Sequence, residues 1–391
     1  MSDYSTIMAT DIYAPLQDLD VTNYLQSELS KSNQENFKVL VRYIKNGECA
    51  FILGAGVSYN INLPLWSGLL DTLLLQGIAR DVFDNEHDKK IVQKYPLEYT
   101  EALKNASGAF SKINTLEAAE YVMIALEKNA YLEKLRQPKP SRPEISLNRR
   151  IAAAVKGALI YYRQTQKEPE NFTLLINLAS FFAKGVKQVI TYNYDDGLEK
   201  AALGGSYNSF GMRDCVYQVN SKTNIYHVHG RLSIFNTVAT AEADKDMDDG
   251  VILTERSYSK LESTVYDNTN TCQAQILASN HCLFMGFSCQ DYNFRRIVRN
   301  INPSHEFQLP FYYIIEENRN HLQKTHIIFY PIDDLLNLFQ NNTLSDVEST
   351  ILNRLLKAQA SYLVKYNIYP IFITHKDLNT VIEAILDALT Q

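Results

Sequence analysis

The sequence predicts an α/β protein: a doubly wound, Rossmann-like, mostly parallel sheet with a helical insertion that forms a second, smaller subdomain. Three observations predict it. Short apolar runs recur along the chain in alternation with helical periodicity. Several of those runs end in glycines or polar clusters, the place where open α/β sheets bind ligands. A long block from about 64 to 184 carries leucine and alanine at three and four spacing, the mark of amphipathic helices.

Residues 1–35 are polar and acidic and lack sustained periodicity until Asn36, which makes them an N-terminal arm or interface segment. Phe37, Leu40, Val41 and Ile44 then recur at helical spacing, and the helix should stop near Gly47. Ala50 to Leu53 is a continuous apolar run that meets Gly54 and Gly56, as a buried parallel strand turning into a helix does. The helical block follows, broken once by the proline-rich QPKPSRPEIS at 137–146. Strand signals return at 187–196, 224–230, 250–254, 281–288, 311–316 and 368–374. Between the last two, Ser345 and Glu348 have the spacing of a capping box, and Val347, Ile351, Leu355 and Tyr362 trace one apolar face. Strand, long helix, strand implies a right-handed crossover. The expected organisation is an arm over 1–35 and one domain over 36–391, its Rossmann-like core being 36–63 and 185–391 and its helical subdomain about 64–184.

Composition narrows the function classes. With 391 residues, 46% hydrophobic and 21% charged, the chain is globular and sized for one large or two modest domains. Lysine plus arginine number 38 against 44 acids, a formal charge of −6, which argues against nucleic-acid binding by bulk electrostatics. The five cysteines form no CxxC pair, which argues against a zinc ribbon and a disulfide framework and fits a reducing cytoplasm. The start of the chain lacks a basic stretch followed by an apolar one, so no signal peptide is expected. No apolar run approaches the roughly 20 residues of a membrane helix.

Four motifs fall at strand ends. Gly54-Ala55-Gly56-Val57-Ser58 lets backbone approach a phosphate at a helix start, but a tight strand-to-helix turn needs the same glycines, and Tyr59 stands where a dinucleotide fingerprint has its third glycine. Asn193, Asp195 and Asp196 in TYNYDD can hold a hydroxyl, a carboxamide or a water, while either aspartate also suits a helix cap. An amide at a buried strand end must find partners. His227 and His229 alternate in HVHG, so their rings should share one face of a strand; no further ligands stand at zinc spacing. His229, next to Gly230, is placed to act as a general base, the other reading being a satisfied core histidine. Gly286 and Ser288 in MGFS, with Asp291, Asn293 and Arg295 beyond, offer a small-residue gap and hydroxyls for a ribose, or a turn and a cap. Arg295, Arg296 and Arg299 read as a solvated or subunit-facing helix side, and Trp66 as a core anchor.

In order, GAGVS, LPLW, TYNYDD, HVHG, VILTERSY and FMGFSCQDYNFRR resemble the sirtuin-like domain family, in its bacterial branch of anti-phage defence effectors. The resemblance runs through KYNIYPIFIT and covers about residue 36 to the end. It implies NAD as the substrate, bound across the sheet edge with the helical block closing over it. It implies that Gly54, Ala55, Gly56 and Ser58 contact the cofactor with Gly286 and Ser288, the last near the adenine-side ribose-phosphate. It implies Asn193 and His229 as the catalytic asparagine and histidine and Asp195 as the nearby acid. Deacylase sirtuins carry two CxxC pairs for a structural zinc, and this sequence has neither, so no zinc is expected and the implied activity is NAD glycohydrolysis that depletes the infected cell. Control by homo-oligomerisation and by a hexameric DNA-translocating ATPase is what the branch implies. The alternatives are a non-catalytic nucleotide-binding scaffold and an NAD-dependent protein deacylase.

Overall fold

The computed structural model describes residues 19–84, 90–91, 93–94, 115–136, 146–202, 204–219, 221–237, 239–254, 267–289, 291–301, 324–339 and 344–390. Its elements in chain order are α1 (Ser27–Lys45), β1 (Cys49–Leu53), α2 (Trp66–Asp84), α3 (Thr115–Arg136), α4 (Leu147–Thr165), α5 (Thr173–Ser180), β2 (Gln188–Thr191), α6 (Gly197–Ala201), β3 (Tyr207–Phe210), β4 (Thr223–His227), α7 (Thr240–Asp249), α8 (Asp267–Ser279), β5 (His281–Met285), α9 (Tyr292–Ile301), β6 (His326–Pro331), α10 (Asp333–Leu336), α11 (Asp346–Val364), β7 (Ile368–Ile373) and α12 (Asp377–Ala388).

The seven strands form one sheet in the order β3-β4-β2-β1-β5-β6-β7, and every pairing is parallel. Parallel strands need both faces covered, and β1 shows how its sequence meets that need. Ala50 and Ile52 share a core with Ile276 and Leu277 of α8 and Phe294 of α9. Phe51 and Leu53 share the opposite core with Phe37, Leu40 and Ile44 of α1, and the Phe51 ring meets Phe181 edge-on at 5.3 Å. Burying a side chain such as Phe51 or Ile52 stabilises by roughly 1.5–3 kcal/mol. From β1 the chain runs to β2 on one side and returns at β5 on the other, so the strand order reverses beside β1. That reversal is where a doubly wound sheet leaves a crevice.

Several elements differ from the sequence reading. α1 begins at Ser27, well before Asn36; beside Leu29, the face it buries there is polar, made of Ser32, Asn33 and Asn36, so it carries no apolar periodicity. Asn33 donates to the Phe372 carbonyl at 2.7 Å and accepts from the Phe372 amide at 2.8 Å, and Asn36 donates to the Pro370 carbonyl at 2.8 Å. Amides thus cover the outer edge of β7, a strand edge that would otherwise be open. Residues 19–21 also join the fold, the amides of Asp20 and Val21 donating to Asp377. The expected strand at 250–254 joins no ladder and bends at Thr254, with Ile252 and Leu253 buried. β3 and β6 lie where no strand was expected; YNSF is a polar edge strand without an apolar run, and the expected strand at 311–316 lies outside the described residues.

The capping box of α11 forms as expected, Ser345 and Glu348 bonding each other's backbone. Its apolar face does not: Val347 is 68% exposed, and Ile351, Leu355 and Tyr362 are exposed too. The buried stripe is Leu352, Asn353, Leu356, Ala360 and Leu363. Asn353 sets that rotation by donating to the Tyr24 carbonyl at 3.0 Å and accepting from the Gln26 amide at 2.9 Å. α11 joins the neighbouring parallel strands β6 and β7, a crossover that starts from 326–331.

In the helical block, α2, α3 and α4 pack on one another and share the larger core with the sheet. Ser146 caps α4 by accepting from the Arg149 amide at 3.2 Å. Arg149 then reaches α7, pairing with Asp244 at 2.7 Å and Asp248 at 2.9 Å. Trp66 is partly buried against that core, 6.3 Å from the Tyr194 ring. Among the described residues, no helix is long and apolar enough to cross a membrane.

Candidate active site at the strand ends

Asn193, Asp195 and His229 come together with the GAGVS and MGFS loops at the carboxyl ends of β1, β2, β4 and β5. Asn193 stands two residues beyond β2 and is buried. Its amide nitrogen donates to the Gly54 carbonyl and to Ser58 Oγ, each at 3.0 Å, and its backbone N–H donates to Thr191 Oγ1 at 3.1 Å. Those donations fix the amide orientation, and Asn193 Oδ1 is left buried with no partner. An unsatisfied buried acceptor costs about 1–3 kcal/mol, so it calls for a ligand or a water.

Ser58 continues the chain of bonds by donating to Asp195 Oδ1 at 3.3 Å, and the Gly197 amide donates to the same oxygen at 2.9 Å. Burial pushes the Asp195 carboxyl up to about 6, with Gly197 and Ser58 pulling the other way and Asp196 and Glu199 adding to the rise. Asp196 takes a structural part: its carboxylate accepts from the amides of Ile234, Phe235 and Thr237 at 2.7–3.0 Å.

β4 ends at His227, so the expected alternation of the two histidines stops there. Gly230 has φ +105° and its amide donates to the His227 carbonyl at 3.3 Å; this turn sends His229 to different neighbours. Its ring meets Tyr192 edge-on at 4.8 Å, and Nε2 lies 3.7 Å from Asp291 Oδ2. Burial lowers the His229 imidazole below its ordinary 6.5, with Asp291 opposing. A neutral imidazole beside a carboxylate can accept a proton at neutral pH. Asp291 spends its other oxygen capping α9, accepting from the Phe294 amide at 2.7 Å.

The glycines interlock. A Cβ on Gly54 would lie 2.4 Å from the Gly286 carbonyl oxygen, one on Gly56 2.7 Å from Gly286 Cα, and one on Gly286, at φ +60°, 2.5 Å from the Val57 nitrogen. The amides of Gly54, Gly56 and Val57 bond to Met285, Gly286 and Gly54. The glycines therefore have a reason that needs no ligand: they let two loops meet backbone to backbone. Ala55 is half-buried, Ser58 is buried behind Asn193, and Ser288 is exposed on the MGFS loop.

Sequence reasoning missed the partners beneath. Glu199 in α6 bonds His227, and Arg231 bonds Asp246; of these four, only His227 stands in a motif that the sequence singles out. The five cysteines are free and buried. Among the described residues there is no group of three or more His, Cys, Asp or Glu side chains able to hold a metal ion.

No curated protein matches this chain. A solved structure described as "Structural Basis for the Mechanism and Regulation of Sir2 Enzymes" is similar to it at 11% identity and a TM-score of 0.38, over 91% of this chain and 99% of that one. Residues 187–330, which run from β2 through β6 and include Asn193, Asp195, His229, Gly286 and Ser288, match the family model of the SIR2-like domain.

Proposed function

We propose that this protein hydrolyses NAD at the bond between nicotinamide and ribose, releasing nicotinamide and ADP-ribose, and that it does so to deplete NAD in anti-phage defence. The observation that carries the reading is the partnerless buried oxygen of Asn193, in a region that matches the SIR2-like domain and also holds His229, whose imidazole burial keeps below its ordinary range. NAD is the substrate. Gly54, Ala55, Gly56 and Ser58 hold it from the β1 side and Gly286 and Ser288 from the β5 side, with the helices of 64–184 as the smaller subdomain over the site.

The chemistry suits these side chains. Cleavage of a glycosidic bond builds positive charge on the ribose ring, and nicotinamide leaves as a neutral molecule from a cationic group, so no strong general acid is needed. Asn193 Oδ1 accepts a hydrogen bond from the attacking water or a ribose hydroxyl. His229 takes the proton that the water gives up. Asp195 holds Ser58, and through it the Asn193 amide. Restraint of such an activity by self-association and by a hexameric DNA-translocating ATPase completes the reading.

The test is chromatography of products from NAD, with and without an acyl-lysine peptide, for the chain alone and with the ATPase and DNA. Free nicotinamide and ADP-ribose without peptide are expected. Turnover only with peptide would make it a deacylase, and NAD binding without turnover in every arm would make it a scaffold.

A further inference from the structure

Beneath Asn193 lies a polar cluster with a buried centre whose members have no role in the chemistry above. His227 and Glu199 are 0% and 1% exposed. His227 Nε2 is 2.6 Å from Glu199 Oε1, and Nδ1 is 3.3 Å from the backbone carbonyl oxygen of Asn193. Ser209 Oγ donates to Glu199 Oε1 at 2.6 Å and accepts from Arg231 at 2.9 Å. Arg231 is held in turn by Asp246 and Glu242, each at 2.7 Å.

Hydrogen-bond accounting sets the ring's state at one nitrogen. A carbonyl oxygen only accepts, so Nδ1 must carry a proton for the contact with Asn193. Burial would raise the Glu199 carboxyl, but His227 and Ser209 outweigh it and hold it below the ordinary range, which leaves Glu199 an acceptor for the other side of the ring. Such buried ionic clusters add little net stability compared with well-packed apolar residues. Stability alone therefore does not account for this one. Its geometric effect is specific: with His227 on the carbonyl, Thr191 on the N–H, and Gly54 and Ser58 on the side-chain nitrogen, the polar groups of Asn193 are held in place except Oδ1.

We propose that His227 is a positioning residue, bridging Glu199 to the Asn193 carbonyl so that the Asn193 side chain keeps its aim. The proposal rests on the reading of Asn193 as the residue that orients water and ribose.

Three measurements on the full chain decide it. In wild type labelled with 15N-histidine, His227 Nδ1 should be protonated; an unprotonated Nδ1 overturns the proposal without any variant. With 15N-asparagine, the Asn193 side-chain amide should exchange slowly with solvent in wild type and in Glu199→Gln, which keeps an oxygen to face the ring, and about tenfold faster in His227→Phe. Unchanged exchange in a folded His227→Phe refutes positioning. In turnover, His227→Phe should lower kcat for nicotinamide release by about tenfold or more with KM for NAD little changed, and should have no further effect in an Asn193→Ala background. An equal loss in both backgrounds would mean a merely structural role. Absence of nicotinamide release by wild type in every arm would refute the hydrolase reading, and the amide exchange would still decide the positioning.

Discussion

Replacing Asp195 by Asn should change how stability depends on pH, and the size follows from the site. The folded carboxyl stands at about 6 against an ordinary 3.8, chiefly because it is buried. At 1.36 kcal/mol per pH unit that difference is about 3 kcal/mol. The sign is set by proton binding: between these values the folded chain holds a proton that the unfolded chain has lost, so this group's stability is fully present below 3.8 and is lost as pH rises through 6. Asparagine keeps an oxygen for the Ser58 hydroxyl and the Gly197 amide and does not titrate. Urea unfolding of both proteins across a pH series is the assay. The unfolding free energy of Asp195→Asn minus that of wild type should grow by about 3 kcal/mol from acid to neutral pH. A flat difference would refute the claim that a desolvated, ionisable carboxyl underlies the site.

Three further outcomes test the fold around the site. Gly286→Ala forces an L residue into φ +60° and puts a Cβ 2.5 Å from the Val57 nitrogen. It should cost more than the roughly 1–2 kcal/mol of the left-handed conformation alone, while Gly157→Ala, on an open face of α4, should stabilise by about 0.5–1 kcal/mol; thermal unfolding reads both. Asn33→Ala strips the Phe372 amide and carbonyl of their partners and should destabilise by about 3 kcal/mol in urea unfolding. Ser345→Ala removes the α11 cap and should cost about 1 kcal/mol by the same method.

How much was legible from sequence follows physical lines. β1, β2, β4, β5 and β7 announced themselves through short apolar runs, and the residues that end β1, β2, β4 and β5 are the polar and glycine motifs that meet in the site; β6 carries such a run too, in HIIFYP, and was not expected. β3 was hidden because an edge strand needs no apolar run. The first turns of α1 were hidden because Asn33 and Asn36 bury amides for the sake of the β7 edge, which reads as solvated polarity. α11 carries apolar residues on two faces, and periodicity cannot say which one packs; Asn353, bonded to Tyr24 and Gln26, decides it. Residues 250–254 are apolar because Ile252 and Leu253 are buried, with the Ile252 amide bonded to the His229 carbonyl. The link between His227 and Glu199 joins residues 28 positions apart, and only the folded chain displays it.

The central claim is that Asn193 and His229 act together on NAD. It is tested most directly by the rate of nicotinamide release from NAD by wild type, Asn193→Ala and His229→Ala, each with the ATPase and DNA present. Release by wild type that falls by about a hundredfold or more in both variants, while both remain folded and bind NAD, is the expected result. Release that survives in either variant, or a wild type that binds NAD and releases nothing, would contradict it.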